Sequence, residues 1–551
     1  MSSERNYKKI IFLFIFFVNV VWAADTYNPL NNQLSIPAVE VNGKIYRDVV
    51  ITVGEILALK GGSPKKDIDT YDAATGQLSI PSVYVGNLIY NNVLIKVGSI
   101  VAVGGTGVID LNMLDASVVA VVDLYKAAGY SGTDLLFFNL LGKGDINGDG
   151  YEDLVIGLFR HSKSPSYSGR EFDPSGEIKP VVLIFNPTTD KYEIDSKLQA
   201  VIRTNQHPRQ VAIADFDGDG RNDIFIADHG YDDAPYGNQN TLLLNKVTGF
   251  EDGTHLLPQQ SDFSHGLVMA DFDGNGKPDL LVLNNTVSDK TKCEQYPAFK
   301  ECSYTPPKYS ESYVLFNFGV SGLKKGVLDI PDEIINFKKS NWERDLRLYV
   351  GHSADFNTDG RADLVISNNR NLFIFESVGL NTGKFLPAQV FSPPTRCLDS
   401  NPYSAITSLD LDDDGVDEII ASNACDLGGA YFQVFKRDKS GVWADKTNDF
   451  IGDQAANKKL SDGWCYKFEI FDLNADGARD LICQSVRGFG TPTNNVIWLG
   501  GNKFEFSNAA PKDSNWTNFE TVVRNKDGNF LLGLKGEMGN PNLSIKRWKI
   551  R

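Results

Sequence analysis

A twelve-residue stretch, DFDGDGRNDIFI at residues 215–226, decides the fold of this chain, because it recurs in altered form along the sequence. Five other segments share its pattern, D-x-[DN]-x-[DN]-G-x-x-[DE] followed by apolar residues: DINGDGYEDLVI from Asp145, DFDGNGKPDLLV from Asp271, DFNTDGRADLVI from Asp355, DLDDDGVDEIIA from Asp410 and DLNADGARDLIC from Asp472. A single copy could be a solvated Asp/Asn turn. Six copies with the same polar positions filled argue against that interpretation and indicate a repeat architecture.

Each repeat has the composition of a calcium-binding loop. Side-chain oxygens at positions 1, 3 and 5, the backbone carbonyl at position 7 and the carboxylate at position 9 converge if the glycine at position 6 turns sharply. Mg²⁺ fits less well, because it requires a small octahedral shell and retains its waters. The ligands predicted for about six Ca²⁺ ions are Asp145, Asn147, Asp149, Tyr151, Asp153, Asp215, Asp217, Asp219, Arg221, Asp223, Asp271, Asp273, Asn275, Lys277, Asp279, Asp355, Asn357, Asp359, Arg361, Asp363, Asp410, Asp412, Asp414, Val416, Glu418, Asp472, Asn474, Asp476, Ala478 and Asp480.

An EF-hand loop begins in the same way but ends with a bidentate Glu at position 12 and lies between helices. Position 12 of these repeats holds residues that cannot ligate a metal: Ile156, Ile226, Val282, Ile366, Ala421 and Cys483. The residues after position 9 are rich in β-branched types, which is typical of strands. Each loop is therefore predicted to connect two strands.

The spacing of the loops suits a propeller blade. Their first aspartates are separated by about 70, 56, 84, 55 and 62 residues, which is room for one inner strand, the loop and three further strands. In its loops and strand order, the region 137–551 resembles the FG-GAP or VCBS-type repeat proteins of bacteria, which are related to the integrin-α propeller. The resemblance implies a β-propeller for this region.

The C-terminal segment 519–550 follows the same plan, but Val523 and Leu531 stand where acids would be. We therefore predict an all-β protein with a seven-bladed β-propeller, in which six blades carry a calcium loop and one degenerate blade does not. The ring is expected to close between the last strands and the segment before Phe137, because an open ring would leave two exposed sheet edges.

The N-terminus predicts export. Lys8 and Lys9 precede the apolar run 10–22, and cleavage after Ala23 would make 1–23 a signal peptide. The run is shorter than the about twenty residues of a membrane span, although an uncleaved signal anchor is the alternative. The mature chain is expected in the periplasm, at the cell surface or outside the cell, with no further membrane span.

A tandem repeat follows. Residues 25–62 and 69–105 are offset by 44 residues and identical at about half of their positions. Period-two alternation of apolar residues predicts a small β unit for each copy. Because so short a unit buries little surface alone, we expect the copies to pack on each other or on the next domain. A stalk or docking module is the predicted role.

The linker 106–134 precedes the propeller domain, 135–551. Its stretch 115–130, DASVVAVVDLYKAAGY, is the best helix candidate in the chain, with Asp115 as its N-cap. The apolar face of that helix would consist of Val118, Val121, Val122 and Leu124. A short helix sealing one end of the propeller is therefore predicted.

Six cysteines in an exported chain favour disulfide bonds. Proximity in sequence suggests three pairs, Cys293 with Cys302, Cys397 with Cys425 and Cys465 with Cys483, although six cysteines allow fifteen connectivities. No Cys or His spacing suggests a zinc site.

Composition excludes two classes of protein. With 54 Lys and Arg against 70 Asp and Glu, the net charge is −16, which argues against bulk nucleic-acid binding. The 42% apolar fraction argues against disorder. Twenty of the acidic side chains stand at predicted metal-ligand positions, so much of the acidity belongs to the loops.

A ligand site is expected on the face opposite the metal loops, where propellers carry variable connections. Its candidate residues are His207, Arg209, His229, Tyr231, Asp232 and His265. We find no GxSxG, HExxH or phosphate-binding glycine loop, and assign no catalytic residue. The predicted function is binding or adhesion to an extracellular glycan or protein. The alternative is a secreted polysaccharide lyase or hydrolase with a His/Arg site on that face.

Overall fold

The computed structural model describes residues 25–28, 32–41, 44–59, 69–85, 88–102, 114–131, 135–161, 177–230, 237–260, 262–284, 312–330, 348–368, 371–379, 383–393, 403–412, 414–425, 429–451, 465–474, 478–485, 496–500, 503–507, 518–526, 528–535 and 542–550. The predicted signal peptide, 1–23, lies outside these residues. Strands dominate the described chain.

The tandem repeat forms one six-stranded sheet of order β1-β2-β3-β6-β5-β4. Its strands are β1 Asp25–Asn28, β2 Gln33–Val41, β3 Lys44–Leu59, β4 Asp69–Asp72, β5 Gln77–Val85 and β6 Leu88–Ala102. The copies interlock through parallel pairs, because Asp25 pairs with Val83 and the equivalent Asp69 pairs with Val39. One shared core buries apolar residues of both copies, as expected.

The rest of the described chain contains seven four-stranded antiparallel sheets and one two-stranded ribbon. The strands, in chain order, are β7 Ala116–Asp123, β8 Leu135–Gly144, β9 Asp153–His161, β10 Val181–Asn186, β11 Lys191–Ile194, β12 Pro208–Ala214, β13 Asp223–Asp228, β14 Thr241–Lys246, β15 Gly249–Asp252, β16 Ser264–Ala270, β17 Asp279–Asn284, β18 Tyr313–Asn317, β19 Leu323–Gly326, β20 Gly351–Ala354, β21 Asp363–Ser367, β22 Leu372–Phe375, β23 Ser377–Val378, β24 Lys384–Phe385, β25 Gln389–Phe391, β26 Tyr403–Leu409, β27 Glu418–Cys425, β28 Gly429–Arg437, β29 Trp443–Asp445, β30 Cys465–Phe471, β31 Asp480–Ser485, β32 Val496–Leu499, β33 Glu505–Ser507, β34 Asn518–Asn525, β35 Gly528–Lys535 and β36 Asn542–Lys549.

Each sheet adds its strands in a fixed order. Sheets 1 to 7 are β8-β9-β10-β11, β12-β13-β14-β15, β16-β17-β18-β19, β20-β21-β22-β25, β26-β27-β28-β29, β30-β31-β32-β33 and β34-β35-β36-β7, and β23 pairs with β24. In sheets 1 to 6, the acidic loop joins the first strand to the second. In sheet 7, Asn525 pairs with Gly528, so a tight turn replaces the loop, as its missing acids suggested.

The first strands of successive sheets contact one another from β8 through β34. Apolar side chains fill the space between the sheets. Phe225 of sheet 2 and Leu280 of sheet 3, for example, are both fully buried in one cluster. Burial of this surface is the main force that holds neighbouring sheets together.

The ends of this series of sheets also meet. The ammonium of Lys143, in β8 of sheet 1, donates to the carbonyl of Val522 in sheet 7 and lies 3.1 Å from Glu469 Oε1 in sheet 6. Thr521 Oγ1 donates to the other oxygen of Glu469 at 2.6 Å. Glu469 is largely buried, so these contacts compensate a charge that would otherwise be costly.

The helix predicted over 115–130 is wrong. Residues Ala116–Asp123 form β7, the fourth strand of sheet 7, which pairs antiparallel with β36. The segment before Phe137 therefore closes the last sheet, as expected, but as a strand. A helix α1, Leu124–Ala127, follows, and its N-cap is Asp123 rather than Asp115. The β-branched run suits a pleated strand, and a partner far along the chain is available to pair with it.

Other helices in the described chain are short. They are α2 Ser196–Val201, α3 Thr447–Phe450 and the 3₁₀ turns Thr254–Leu256 and Gly319–Ser321. Within the described residues, we find no helix of the length and apolarity that crossing a membrane requires.

Cys465 and Cys483 form the predicted disulfide, with Cα atoms 5.3 Å apart. This bond indicates an oxidising environment. Cys293, Cys302 and Cys397 lie outside the described residues, so the two pairs that involve them remain predictions.

Candidate functional site

Five of the acidic loops share one hydrogen-bond pattern around their first aspartate. In loop 1, Asp145 accepts from the backbone N–H groups of Gly148, Asp149 and Gly150 at 2.8 to 2.9 Å. The first aspartates of loops 2 to 5 accept from the same positions 5 and 6 of their own loops: Asp215, Asp271, Asp355 and Asp410. The backbone thus folds around each first carboxylate.

The glycine at position 6 has a positive φ in these five loops, between +82° and +87°: Gly150, Gly220, Gly276, Gly360 and Gly415. Residues with a Cβ rarely adopt this conformation. The sharp turn predicted at position 6 is therefore present.

The carboxylate at position 9 lies at the start of the second strand and ties the loop to its sheet. In loop 2, Asp223 is fully buried, and it accepts from Phe216 N at 2.9 Å and from Asn245 N of β14 at 2.7 Å. The position-9 residues Asp153, Asp279 and Asp363 make the equivalent pair of bonds. Each of these carboxylates therefore joins the start of its loop to the third strand of the sheet or, for Asp363, to β23 directly after that strand.

Acidic oxygens converge in three of the loops. One oxygen from each of Asp215, Asp217 and Asp223 lies within 4.8 Å of the others, and the same holds for Asp271, Asp273 and Asp279, and for Asp410, Asp412 and Glu418. Loops 1, 4 and 6 hold Asn at position 3, which contributes an amide oxygen. Such oxygen-only donor sets fit Ca²⁺. Asp476 of loop 6 lies outside the described residues.

Burial raises the pKa of the position-9 carboxyls. The pKa of Asp153 and Asp279 rises to about 7, that of Asp223 to about 6 and that of Asp363 to about 8, although backbone hydrogen bonds oppose the shift. Without a cation, these buried groups therefore favour the protonated form near neutral pH. A bound cation would favour the charged form instead.

We expect calcium to stabilise the protein more strongly at high pH. A carboxyl with a folded-state pKa of 6 to 8, against an ordinary value near 3.8, contributes stability below the lower value and loses it as pH rises through the higher one. The calcium-free protein should thus melt at a lower temperature at about pH 8.5 than at about pH 5.5. The gain in melting temperature on adding CaCl₂ should be larger at about pH 8.5, and an equal gain at both would contradict this.

Candidate ligand residues gather at the opposite ends of the first strands. His207 precedes β12, whose other end leads into loop 2, and His265 lies at the start of β16. The ring centroids of His207 and His229 are 6.0 Å apart, and those of His229 and His265 are 5.3 Å apart. The structure thus brings the three predicted histidines together, whereas Tyr231 and Asp232 lie outside the described residues.

Two aromatic residues extend this group. Phe159 of β9 stacks on His207 with centroids 4.3 Å apart, and Tyr349 lies edge-on to His265 at 4.7 Å. We call these two residues, together with His207, His229 and His265, the mouth cluster. His207, His229 and Tyr349 are at most 7% exposed, whereas His265 and Phe159 are partly exposed.

Arg209, His265 and Tyr349 occupy equivalent places, each six residues before the first aspartate of its loop. Arg209 and His265 are the extra residues of β-bulges, because the strand register passes from the residue before each to the residue after it. Bulges redirect side chains and are frequent beside functional sites. This offset is the sequence signal by which Tyr349, absent from the predicted set, could have been found.

A buried polar network supports the mouth cluster. Asp228 is fully buried and accepts from the backbone N–H groups of His207 and Gly230, and from the amides of Asn205 and Asn238, at 2.8 to 3.1 Å. These bonds fix the chain on both sides of the two histidines, His207 and His229. Asp228 is therefore a positioning residue for the cluster.

Comparison with known proteins identifies a repeat family. A family model described as FG-GAP-like repeat matches residues 215–282 and 355–421. These two stretches contain loops 2 and 3, and loops 4 and 5, with the strands that lie between the two loops of each stretch. In sequence, no curated protein matches the chain.

Solved structures give distant likenesses. An Agrocybe aegerita lectin described as recognising non-reducing terminal N-acetylglucosamine is 16% identical, with a TM-score of 0.37, over 70% of this chain and 82% of its own. The NanB sialidase of Streptococcus pneumoniae is 9% identical, with a TM-score of 0.36, over 94% and 93%. The Dos1 propeller is 10% identical, with a TM-score of 0.33, over 80% and 96%. No ligand or activity follows from such likenesses; the matched repeats and the acidic loops make this chain an all-β protein with FG-GAP-like repeats.

Proposed function

We propose that this chain is an exported calcium-binding β-propeller that binds an extracellular glycan or protein ligand through the face opposite its acidic loops. Sheets 1 to 7 would be its seven blades, with the first strands around a common axis. Contacts between successive first strands, and the contacts of Lys143 with Glu469 and Val522, support a closed ring.

The observation that carries the ligand site is the mouth cluster. Five rings from sheets 1 to 3 and the chain leading into β20 come together at strand ends remote from the acidic loops. Concave sites with apolar walls and a few convergent polar groups are the usual ligand sites of folded proteins. Arg209 and His265, which are partly exposed and redirected by bulges, would supply the polar groups.

A glycan suits this chemistry better than a flat protein surface. Rings present apolar faces to the C–H groups of a sugar, while imidazole nitrogens and a guanidinium can bond its hydroxyl groups or a charged substituent. His265 Nδ1 lies 3.0 Å from the Tyr349 carbonyl, which holds the ring beside Tyr349.

The alternative, a polysaccharide lyase or hydrolase, needs an acid or base able to exchange protons with the substrate. The buried carboxylates near the cluster are committed elsewhere. Asp228 accepts the bonds described above, and Asp262 accepts from Tyr313, Asn284 and Asn240 at 2.7 to 3.0 Å. These contacts favour binding without catalysis.

Export is supported by the disulfide between Cys465 and Cys483, since such bonds persist in oxidising compartments. The signal peptide over 1–23 remains part of the proposal. The tandem repeat would act as a spacer or docking module, because it forms its own core.

A glycan array tests the ligand site. We expect the wild-type protein to bind a restricted set of glycans. The double variant His207→Ala/His229→Ala should lose at least about tenfold in affinity, which corresponds to about 1.4 kcal/mol of binding free energy. His255→Ala is the matched control, because His255 is exposed in the 3₁₀ turn Thr254–Leu256.

Melting curves with and without calcium show whether the double variant remains folded. A calcium-dependent melting temperature like that of the wild type, together with lost binding, supports the site. Binding that survives in the folded double variant would exclude the mouth cluster. Arrays without any signal would exclude a glycan and leave a protein ligand.

A further inference from the structure

Loop 5 differs from the other acidic loops at two positions that face each other. Position 9 is Glu418, where the other loops have Asp. On the neighbouring strand β28, Lys436 follows Phe435, which pairs with Ile419. The residues at the equivalent position in the other sheets are Ile184, Leu244, Phe316, Glu376 and Leu499. Lys436 is therefore the one basic residue in this set.

The ammonium of Lys436 lies inside the acidic loop. Its Nζ is 2.7 Å from Glu418 Oε1, 2.7 Å from Asp414 Oδ2 and 2.8 Å from Asp412 Oδ2. These oxygens belong to positions 3, 5 and 9, where a calcium ion would find its ligands. The other oxygen of Glu418 accepts from Leu411 N at 2.6 Å. Asp410 accepts from the backbone N–H groups at positions 5 and 6, as the first aspartates of loops 1 to 4 do.

We propose that loop 5 binds no metal, because Lys436 supplies the cation from within the chain. An ammonium nitrogen at 2.7 to 2.8 Å from three carboxylates fills nearly the same volume as Ca²⁺, whose oxygen ligands lie at 2.3 to 2.6 Å. Both cannot be present, since they would repel each other and overlap. The tethered ammonium also needs no calcium in solution, so this sheet would keep its loop folded when calcium is scarce.

Glu418 and Lys436 act as a matched pair in this arrangement. Glu418 is fully buried, and a buried carboxylate without a counter-charge is costly. Its side chain is one methylene longer than Asp, which lets one oxygen meet the ammonium while the other keeps the bond to Leu411 N.

Loop 2 also has a lysine beside it, but the arrangement differs. Lys246 contacts Asp217 and is 3.7 Å from Asp219. The position-9 Asp223 instead accepts from the backbone N–H groups of Phe216 and Asn245. Lys246 also lies at the end of β14, two residues beyond Leu244, which occupies the position of Lys436. Lys246 therefore meets positions 3 and 5 of loop 2, whereas Lys436 meets positions 3, 5 and 9 of loop 5.

Counting bound ions in the mature chain tests the proposal, which rests on the proposed calcium binding of the other loops. Equilibrium dialysis against CaCl₂ followed by elemental analysis gives calcium ions per chain. We expect Lys436→Met to bind one ion more than the wild type. Lys439→Met, which removes an exposed lysine from the turn after β28, is the control and should leave the count unchanged.

A second variant guards against a folding defect in Lys436→Met. Glu418→Asp/Lys436→Leu recreates the pair found in loop 2, Asp223 and Leu244, and should also gain one ion. Adding Asp410→Asn to either variant should remove the gained ion, which places it in loop 5.

The two proposals fail in different ways. A wild-type count of zero would contradict calcium binding by the other loops, and a gain of one ion in the Lys436 variants would still support an internal ammonium in loop 5. A count that stays equal to the wild type in both folded variants would overturn the proposal for Lys436, whatever the wild-type count.

Discussion

Removal of calcium with EDTA is expected to lower the melting temperature of this protein by about 10 °C. A ligand that binds only the folded state stabilises it by RT ln(1 + [L]/Kd), which is about 1.4 to 2.7 kcal/mol per site at 10 to 100 times Kd. Several loops acting together would contribute roughly 10 kcal/mol. For a domain of about 400 residues, each kcal/mol moves the melting temperature by about 1 °C.

The large effect has a structural cause in the position-9 carboxylates. Asp153, Asp223, Asp279 and Asp363 are all fully buried at the starts of second strands, so the acidic loops lie between the first and second strands of their sheets. Without a cation, the loop aspartates repel one another across less than 5 Å in loops 2 and 3. Loss of calcium should therefore loosen the sheets themselves.

Differential scanning fluorimetry in EDTA, in CaCl₂ and in MgCl₂ measures this effect. Magnesium should restore much less stability than calcium, because it retains its waters and requires an octahedral shell. Asp215→Asn/Asp223→Asn, which disables loop 2 alone, should remove only a fraction of the calcium response. Equal melting temperatures in EDTA and CaCl₂ would contradict the assignment of the acidic loops.

The sequence predicted the acidic loops well because their geometry is local. Position 6 requires a positive φ, which glycine provides in loops 1 to 5, and the carboxylate of the first aspartate accepts from backbone N–H groups of its own loop. Twelve residues therefore contain almost all the information that shapes each loop. The prediction of strands on both sides was confirmed for the same reason.

Lys436 could not be found in this way. It lies eighteen residues after Glu418, on the next strand, and it reaches loop 5 only when β27 and β28 pair. Taken as a separate segment, loop 5 supplies four carboxylates, with the longer Glu418 at position 9, and predicts a calcium site. The pairing of strands shows a cation already in place.

The mouth cluster lies between these two cases. The sequence groups His207 and His229, because the segments before Asp215 and after Asp223 belong to one repeat, and it offers His265 as a further candidate. Tyr349 was missed because the strand that follows it is short, beginning only at Gly351, and its alignment with His265 appears only when residues are counted back from Asp355.

The wrong helix at 115–130 leads to the second large prediction. Its sequence fits both a helix and a strand. Pairing with β36, which lies more than 400 residues further along the chain, favours the strand. In the strand, Val119 is fully buried and Val121 is 70% exposed. In a helix, Val121 would lie on the apolar face with Val118 and Val122.

Val119→Asp should therefore destabilise the protein severely, by about 3 kcal/mol or more, because it places an unpaired carboxylate in the core of sheet 7. Val121→Asp adds the same charge to the same strand and should change stability by no more than about 0.5 kcal/mol. Urea unfolding of both variants in CaCl₂ measures the difference. Since β7 covers the edge of β36, the Val119→Asp variant should also aggregate more readily. If Val121→Asp were destabilising and Val119→Asp were not, the result would contradict the assignment of Ala116–Asp123 as a strand of sheet 7.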